Sequence, residues 1–235
     1  MISFFIPIRK NSKRIKNKNI NRIGHFRYGL TEIKIEQLKK VRVLFNKKLK
    51  LKVEFIISTD SQEIKKFVHK FKWIKIHHRT KELAADDCMD KLIKEVPKIC
   101  SGEYILWTHV TSPCFDHECY EKLILKYLRS KKNYDSAFSA DLIGTFIIND
   151  SFKWVSHNYN KKKWPRTQDL KDHFSVNNAA FIAKKSVYIK NNDRLCKRPL
   201  PHVTEKGKGF DIDTEEDLIF YKQNFFRPKV KSFYK

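Results

Sequence analysis

The chain has 235 residues, of which 41% are hydrophobic, enough for a buried core in one large domain or two small ones. Its 50 lysines and arginines outnumber 26 aspartates and glutamates, and the formal charge of +24 indicates an anionic partner such as a nucleotide, a nucleic acid or a membrane surface. The alternative source of this charge is compositional, because lysine, asparagine, isoleucine and phenylalanine are all abundant, as in proteins from AT-rich genomes.

Cysteine spacing and the lengths of apolar runs indicate whether the protein binds zinc or spans a membrane. The five cysteines include no CxxC pair and no zinc-ligand spacing, so we expect reduced thiols and no zinc site. No apolar run approaches the ~20 residues of a membrane-spanning helix, and no signal peptide precedes the first apolar segment. A cytoplasmic protein without a membrane partner is therefore expected.

Apolar patterning predicts strands alternating with helices over the first 130 residues. The predicted strands are 2–8, 53–58, 73–77 and 104–110, and the predicted helices are 31–48, 61–71, 86–98 (stopped near Pro97) and 116–130. This alternation favours an α/β fold, with a mostly parallel sheet and helices on both faces. Right-handed crossovers then place the strand ends, and any binding site, at one edge of the sheet.

The second part of the chain is less regular. Residues 134–139 and 179–183 are compatible with strands, and the segment between them is polar and aromatic. Residues 210–213 are predicted as a strand, followed by a helix that Thr214 caps. We interpret the chain as a single domain, 1–235, with an insert at 141–176.

A basic loop follows the first predicted strand, which ends at Pro7 and Ile8. Its cations are Arg9, Lys10, Lys13, Arg14, Lys16 and Lys18, and its polar residues are Asn11, Ser12, Asn17 and Asn19. Ligands of open α/β sheets bind beyond the carboxyl ends of the strands, so this loop predicts an anion site. The loop contains no glycine, which excludes a P-loop and a dinucleotide fingerprint.

Two aspartates, Asp211 and Asp213, alternate on the last predicted strand, so both carboxylates should point to the same side. Two hard oxygen ligands at a strand end suit Mg²⁺, with Mn²⁺ as a substitute. The alternative is that one of these carboxylates caps the helix that follows.

Five blocks of the chain resemble the CMP-sialic acid synthetases (acylneuraminate cytidylyltransferases), in the order of that family. The blocks are 7–19, 58–64, 79–86, 110–113 and 210–218, and the resemblance covers most of residues 2–222. It implies a Rossmann-like nucleotidyltransferase fold and a cytidylyltransferase domain. It also implies transfer of CMP from CTP to the anomeric hydroxyl of a 2-keto sugar acid, such as a sialic acid-like nonulosonate, with release of pyrophosphate.

The resemblance also assigns roles to residues. The catalytic residues are Arg9, Lys13, Lys18 and Asp213, and the nucleotide-binding residues are Pro7, Ile8, Arg9, Asn19, Arg79 and Asp86. The acceptor-binding residues are His109, Arg166, Gln168 and Phe174, and Asp211 and Asp213 hold magnesium. A homodimer is implied, in which the insert of one chain covers the site of the other.

Four departures from the family pattern affect the phosphate and sugar side. Arg14 replaces a glycine, His109 stands near a usual glutamine, Ser175 follows Phe174 where an arginine is common, and Asn177-Asn178 replaces Asn-Gly. They put the identity of the acceptor in question more than the nucleotide chemistry. They suggest a sugar acid other than N-acetylneuraminic acid, with its carboxylate bound mainly by Arg166.

Three alternatives remain at this point. The charge and interleaved aromatic residues would suit a nucleic-acid-binding protein, but paired aspartates repel phosphates unless a metal intervenes, so we expect no nucleic-acid partner. An inactive scaffold would not need Arg9, Lys18, Asp211 and Asp213. A CMP-Kdo synthetase would carry an aspartate at the fourth strand, where this chain has residues 111–113 without one.

Overall fold

The computed structural model describes residues 1–10, 12, 14–85 and 87–225. Its strands are β1 (Ile2–Pro7), β2 (Val53–Thr59), β3 (Ile74–His78), β4 (Tyr104–Thr108), β5 (Ser136–Ile143), β6 (His173–Lys184) and β7 (Pro199–Val203). They form a seven-stranded sheet in the order β3-β2-β1-β4-β6-β5-β7. Strand β6 runs antiparallel to β4 and β5, whereas the other neighbouring strands are parallel. The predicted α/β fold with a mostly parallel sheet is confirmed.

Helices cover both faces of this sheet. They are α1 (Gly29–Val43), continued by the π-helical turn Leu44–Leu49, α2 (Gln62–Val68), α3 (Lys81–Ala84), α4 (Met89–Ile99), α5 (His117–Ser130), α6 (Lys185–Asn191) and α7 (Glu215–Phe225). Phe4 and Ile6 of β1 join a core cluster with α1, α2 and α5, whereas Phe5 joins a second cluster with α4 and α6. Successive side chains of a strand point to opposite faces, so β1 is buried on both sides. None of the helices in the described ranges is both long and apolar enough to cross a bilayer.

Helix α4 ends near Pro97, as predicted, although Pro97 itself lies inside it. A proline removes one backbone N–H donor and usually breaks a helix in its middle. Here it stands in the last turn, where little of the helix remains to be disrupted. The Cys100 N–H still donates to the Val96 carbonyl oxygen at 3.0 Å, so the helix reaches Ile99.

The predicted strand at 210–213 is wrong, because this segment is irregular and pairs with no strand among the described residues. One backbone hydrogen bond joins it to the segment after β4, from Ile212 N to Thr111 O at 2.8 Å. The Ile212 side chain is fully buried between two polar neighbours. The alternation that resembles a strand therefore reflects one apolar anchor and not a ladder of backbone hydrogen bonds.

Helices α3 and α6 and strand β7 were not predicted from the sequence. Strand β7 contains Pro199 and Pro201, which argue against a central strand, but it lies at the edge of the sheet, where proline is tolerated. Strand β6 is also longer than predicted and begins at His173. Its first residues pair with β5 and not with the centre of the sheet.

The end of β5 and the start of β6 form a ribbon, in which Ile143 pairs with His173. Residues 144–172 connect the two strands and contain a cluster of aromatic rings. The Trp154 ring centroid lies 5.4 Å from that of Trp164 and 5.6 Å from that of Tyr159. Much of this surface is uncovered, since Trp164 is 65% exposed and Phe152 88%. Residues 141–176, predicted as an insert, comprise this ribbon end and the connection.

Candidate active site

A cavity of about 360 Å³ opens at the carboxyl ends of β1, β3 and β4. Pro7 is the last residue of β1, Arg79 follows β3, and His109 follows β4. The lining residues are Pro7, Arg9, Ser12, Lys18, Asn19, Arg79, Ala85, Cys88, Met89, Leu92, Trp107, His109, Val110, Thr111, Asn178, Arg194, Asp211 and Asp213. Cations, carboxylates and aromatic groups from both ends of the chain thus share one cavity.

Lys18 joins the basic loop to the aspartate segment. Its ammonium donates to the Ile212 carbonyl oxygen at 2.7 Å and to Asp213 Oδ1 at 3.3 Å. The Lys18 side chain is buried, whereas that of Asp213 is 48% exposed, so water screens the contact with Asp213 more than the contact with Ile212. Arg14 Nη1 lies 3.0 Å from Asp213 Oδ2. Asp213 is therefore held between two cations of the basic loop at the mouth of the cavity.

Asp211 lies deeper in the cavity wall. Ser112 Oγ lies 3.5 Å from Asp211 Oδ1, which is the limit of a hydrogen bond. Burial raises the pKa of Asp211, and the negative charge of Asp213 raises it further. The two aspartates thus repel each other, and a cation bound between them would relieve that repulsion.

The helix that follows is capped by other residues. Thr214 Oγ1 accepts from Asp217 N at 3.2 Å, and Asp217 Oδ2 accepts in return from Thr214 N at 2.8 Å. This reciprocal pair is a capping box, and it confirms Thr214 as the cap. The same Asp217 carboxylate also accepts from Asp213 N at 3.0 Å. The Asp211 and Asp213 side chains are therefore not needed for capping and remain directed at the cavity they line.

The donor set at this position fits a magnesium ion. Asp211 and Asp213 are the carboxylates among the described residues that line the cavity. The described part of the chain contains no group of three or more His, Cys, Asp or Glu side chains that could hold a metal. Mg²⁺ is commonly bound by one or two carboxylates, with waters and substrate phosphates completing its shell. Two carboxylates beside a basic loop match that pattern.

Arg79 is held rigidly at one wall of the cavity. Its Nη2 donates to Ser58 O at 2.9 Å and its Nε to Ser58 Oγ at 3.2 Å. Burial lowers the pKa of Arg79, yet a guanidinium stays protonated in proteins. In the described part of the chain Nη1 has no hydrogen-bond partner. A fixed positive charge with a free donor therefore faces the ligand space.

Asn19 carries an unsatisfied acceptor. Its Nδ2 donates to Arg9 O at 3.0 Å, and this hydrogen bond joins the two ends of the basic loop. Its Oδ1 is buried and has no hydrogen-bond partner in the described part of the chain. Buried polar atoms are nearly always paired, so this oxygen calls for an N–H or O–H donor from a ligand. Asn19 therefore has both a structural and a binding role.

His109 is fixed in one tautomer. Trp107 Nε1 donates to His109 Nε2 at 2.9 Å, and Arg194 Nη1 lies 3.2 Å from the same nitrogen. Both partners carry only donors, so Nε2 must be an acceptor and the proton must be on Nδ1. Burial and the charge of Arg194 lower the pKa of His109 to about 3. The imidazole is thus neutral at physiological pH and unsuited to act as a general base.

Comparison with known proteins identifies the family. A family model described as cytidylyltransferase matches residues 3–225. The chain belongs to the cytidylyltransferase family. The match spans the whole fold and includes both the basic loop and the aspartate pair. A search of curated proteins found no match to this cytidylyltransferase.

Solved structures share the fold of this cytidylyltransferase. A CMP:2-keto-3-deoxy-manno-octonic acid synthetase complexed with CTP superposes with a TM-score of 0.62 at 13% identity, covering 96% of this chain and 98% of the other. The 4-diphosphocytidyl-2C-methyl-D-erythritol synthase of Anaerococcus prevotii gives 0.61 at 16% identity, with 96% and 98% covered. HddC from Yersinia pseudotuberculosis gives 0.57 at 13% identity, with 96% and 100% covered. At such low identity these likenesses show the fold alone.

Most residues predicted for the site of the cytidylyltransferase do line the cavity. They are Pro7, Arg9, Lys18, Asn19, Arg79, His109, Asp211 and Asp213. Ile8 instead points into the core beneath, where it is 1% exposed. Lys13 and Asp86 lie outside the described residues.

The predicted acceptor residues of the insert lie away from the cavity of their own chain. Arg166 is exposed and forms a bidentate ion pair with Asp169, with both N–O distances at 3.0 Å. Gln168 stands in an exposed 3₁₀ turn, and Phe174 is 39% exposed on β6. None of the three is a lining residue. Their assignment to acceptor binding depends on a second subunit and stays a prediction.

Several residues that line the cavity of the cytidylyltransferase were not predicted from the sequence, among them Trp107, Leu92 and Arg194. Arg194 stands in a loop that matches none of the family blocks, so its charge was its only signal. Asn178 was noted only as a departure from a usual glycine. The backbone φ of Asn178 is 61°, in the left-handed region that glycine adopts freely. Asparagine can replace glycine there because it adopts this conformation more readily than most other residues.

Replacing Arg79 with lysine is expected to raise the KM for CTP about ten-fold, because lysine cannot hold both Ser58 contacts and still present a donor to the ligand. Steady-state pyrophosphate release at saturating acceptor measures this KM. Arg42→Lys is the control, since Arg42 is exposed over the Trp73 ring and does not line the cavity. A CTP KM unchanged in Arg79→Lys would contradict the placement of the nucleotide at this wall.

Proposed function

We propose that this cytidylyltransferase transfers CMP from CTP to the anomeric hydroxyl of a 2-keto sugar acid. The new bond joins the hydroxyl oxygen to the α-phosphorus, and the bond from that phosphorus to the bridging oxygen breaks, so that pyrophosphate leaves. The hydroxyl proton passes to water. The proposal is supported chiefly by the hydrogen bonds from Lys18 to Ile212 and Asp213. Through them the basic loop and the segment with the two aspartates line the same cavity.

The nucleotide would occupy the part of the cavity near β1 and β3. Arg9 and Lys18 lie where they could neutralise the triphosphate, and Lys13 would join them by resemblance. The buried Asn19 Oδ1 offers an acceptor for the amino group of cytosine or for a ribose hydroxyl. Arg79 offers a fixed donor on the opposite wall. Phosphoryl transfer depends mainly on such positioning and charge neutralisation.

Asp211 and Asp213 would hold a magnesium ion, for which Mn²⁺ could substitute. When bound, the metal supplies positive charge where negative charge develops on the reacting phosphate. The chain itself keeps Asp213 in place through Arg14 and Lys18. Because His109 is locked as a neutral acceptor at Nε2, no described histidine in the cavity is placed to remove the hydroxyl proton.

The acceptor that the sequence favours is a sialic acid-like nonulosonate. A CMP-Kdo synthetase is the nearest alternative within the same chemistry. The Thr111 and Ser112 positions lie beside Asp211 at the end of β4, and neither carries the extra carboxylate expected for that alternative. The insert residues Arg166, Gln168 and Phe174 would reach the acceptor from a second subunit.

A pyrophosphate-release assay tests the proposal. The wild-type enzyme is incubated with each of the four nucleoside triphosphates, magnesium and a panel of 2-keto sugar acids. We expect release with CTP and at least one acid, and none with the other triphosphates. Release with CTP and a sugar alcohol or sugar phosphate, but with no acid, would leave cytidylyl transfer standing and overturn the acceptor class.

The exposed aromatic surface of the insert supports a homodimer. Phe152 and Trp164 are largely exposed, and Phe174 and Val176 of the neighbouring ribbon are 39% and 42% exposed. An apolar surface of this kind is typical of an interface between subunits. We expect light scattering at micromolar concentration to give twice the 28.1 kDa of one chain.

A matched pair of variants links the dimer to the insert. Trp164→Ser should shift the protein towards monomer, whereas Val43→Ser, at an exposed apolar residue of α1 on a different part of the fold, should not. A wild-type mass of 28.1 kDa at the same concentration would contradict the dimer and, with it, the role of Arg166 in a neighbouring site.

A further inference from the structure

Arg194 enters the cavity from the loop between α6 and β7. Its guanidinium carbon lies 4.0 Å from the Phe181 ring centroid and 5.1 Å from that of Trp107. Phe181 of β6 and Trp107 of β4 are neighbours across the sheet, so the two rings offer one continuous apolar platform. Cation–π contacts of this kind attract a guanidinium to the ring faces and restrict its position.

This guanidinium has no carboxylate partner among the described residues. Its one hydrogen bond there is from Nη1 to His109 Nε2, which is a neutral acceptor. The adjacent carboxylate, Asp193, is occupied by backbone donors, because its Oδ1 accepts from Arg194 N at 2.6 Å and from Leu195 N at 3.2 Å. The charge of Asp193 acts on Arg194 from nearby but forms no ion pair with it. A partly buried cation that lines a cavity without an ion pair is a suitable site for a ligand anion.

The cavity therefore has two positive poles. One pole is the basic loop after β1, with Arg9 and Lys18. The other is Arg194, which lies over β4 and β6, the first and second strands away from β1 on that side of the sheet. The two poles come from different elements of the fold and contact different neighbours. They suit two different anionic groups, one on each substrate.

We propose that Arg194, supported by His109, binds the carboxylate of the acceptor. This inference rests on the proposed function and names the residue that recognises the acid. It changes the expectation from the sequence, in which Arg166 performs that task, because Arg166 is paired with Asp169 and lies outside the cavity of its own chain. A 2-keto sugar acid carries its carboxylate next to the anomeric carbon, so its binding also positions the hydroxyl that reacts.

The local chemistry favours a carboxylate over a phosphate. Arg194 is a single cation, and one edge of its guanidinium is already used by His109. A carboxylate carries one negative charge and matches the remaining planar donors, whereas a phosphate monoester carries up to two. His109 adds a neutral donor, since its Nδ1–H has no partner in the described part of the chain. Together they provide two kinds of N–H donor and one charge.

The test compares an acid with its own ester. Pyrophosphate release is measured with CTP, with each acid of the panel, including N-acetylneuraminic acid and 3-deoxy-D-manno-octulosonic acid, and with the C1 methyl ester of each. The variants are Arg194→Met, which keeps an apolar side chain over the rings, and Arg194→Lys, which keeps the charge but loses the planar fork. Arg198→Met is the control, because Arg198 is an exposed arginine of the same loop that does not line the cavity.

We expect wild type to prefer the acid to the ester by about ten-fold or more in kcat/KM. Arg194→Met should lower kcat/KM for the acid by a similar factor, leave the CTP KM within about two-fold, and abolish the preference for the acid. Arg194→Lys should keep part of that preference, and Arg198→Met all of it. If acid and ester lose activity equally in Arg194→Met, the residue is structural and the inference is overturned.

The experiment distinguishes a failure of the Arg194 proposal from a failure of the proposed function. Turnover of a sugar phosphate but of no acid would reject a carboxylate at Arg194 while cytidylyl transfer stands. If CTP gives no pyrophosphate with any acceptor, the proposed function fails. Calorimetric titration of the same acids and esters into wild type and Arg194→Met then decides the anion site alone. Tighter binding of the acids by wild type supports it, and equal binding by both proteins overturns it.

Discussion

The Asp213→Asn enzyme is expected to lose at least about 100-fold in kcat, the scale of removing one electrostatic partner of a transition state. Asparagine keeps the shape of the side chain but removes the charge that would help to hold magnesium. Its effect on CTP binding should be smaller, because Arg14 and Lys18 are released from Asp213 and remain available to the phosphates. Pyrophosphate release across a range of Mg²⁺ concentrations measures both quantities.

Asp217→Asn is the matched control for this experiment. It makes the same chemical change four residues away, in a carboxylate that caps α7 and accepts from Asp213 N but does not line the cavity, and it leaves the Asp213 charge intact. Loss of a cap costs about 1 kcal/mol of stability, so the control should melt earlier and yet keep its turnover. Near-normal turnover in Asp213→Asn, or an equal loss in Asp217→Asn, would show that the segment needs these carboxylates only for folding.

Replacing Lys34 with methionine is expected to stabilise the fold at neutral pH by a few kcal/mol, on the scale of replacing a buried charge with an apolar side chain. Lys34 is 1% exposed on α1 beneath the cavity, and its ammonium contacts Tyr120 Oη at 2.9 Å and Ser112 O at 3.3 Å. Neither partner is an anion. Burial therefore lowers the pKa of Lys34 from 10.5 to about 7.

The same shift predicts how stability depends on pH. Between about pH 7 and pH 10.5 the unfolded chain keeps a proton on Lys34 that the folded chain has released. The free energy of unfolding should therefore rise with pH across this window, and Lys34→Met should remove that rise. Urea unfolding at several pH values measures it. Lys40→Met, an exposed site on the same helix, should leave the pH dependence unchanged.

Lys34→Met could instead prove less stable than wild type at neutral pH. The hydrogen bonds to Tyr120 and Ser112 would then outweigh the cost of burying the charge. Tyr120 would not lose every partner in the variant, because its hydroxyl also bonds Thr108 Oγ1 at 2.6 Å. Such a result would contradict the lowered pKa as the source of the instability.

Sequence patterns predicted the parallel core of the fold well, because buried strands and amphipathic helices leave periodic signals. Residues such as Phe4 and Leu38 occupy core positions fixed by local spacing. The pattern failed at 210–213, where Ile212 is buried by an irregular segment and not by strand pairing. It also failed at β7, whose prolines are acceptable only because the strand is at an edge, which local sequence does not reveal.

The site was predictable where a motif carried it. The basic loop and the aspartate pair are compact blocks, and the structure brings them together through Lys18. Arg194 could not be found in this way, because its role depends on two rings from different strands and on the absence of a nearby acid. Such features arise from tertiary packing and leave no local pattern. His109 was noticed, but its tautomer could be assigned only from its two donors in the folded chain.

The contact between Lys18 and Ile212 can form only late in the synthesis of this protein, after all the strands of the described sheet have been made. The bond joins residues 194 positions apart, and every strand of the sheet ends before it, the last at Val203. At ribosomal rates of ~5–20 residues per second, roughly 10–40 s pass between the appearance of its two ends. In a nascent chain all the strands of the described sheet are therefore synthesised while one wall of the cavity is still missing. Ile212, Leu218 and Tyr221 complete the core only when that wall is added, so the last step of folding and the completion of the cavity coincide.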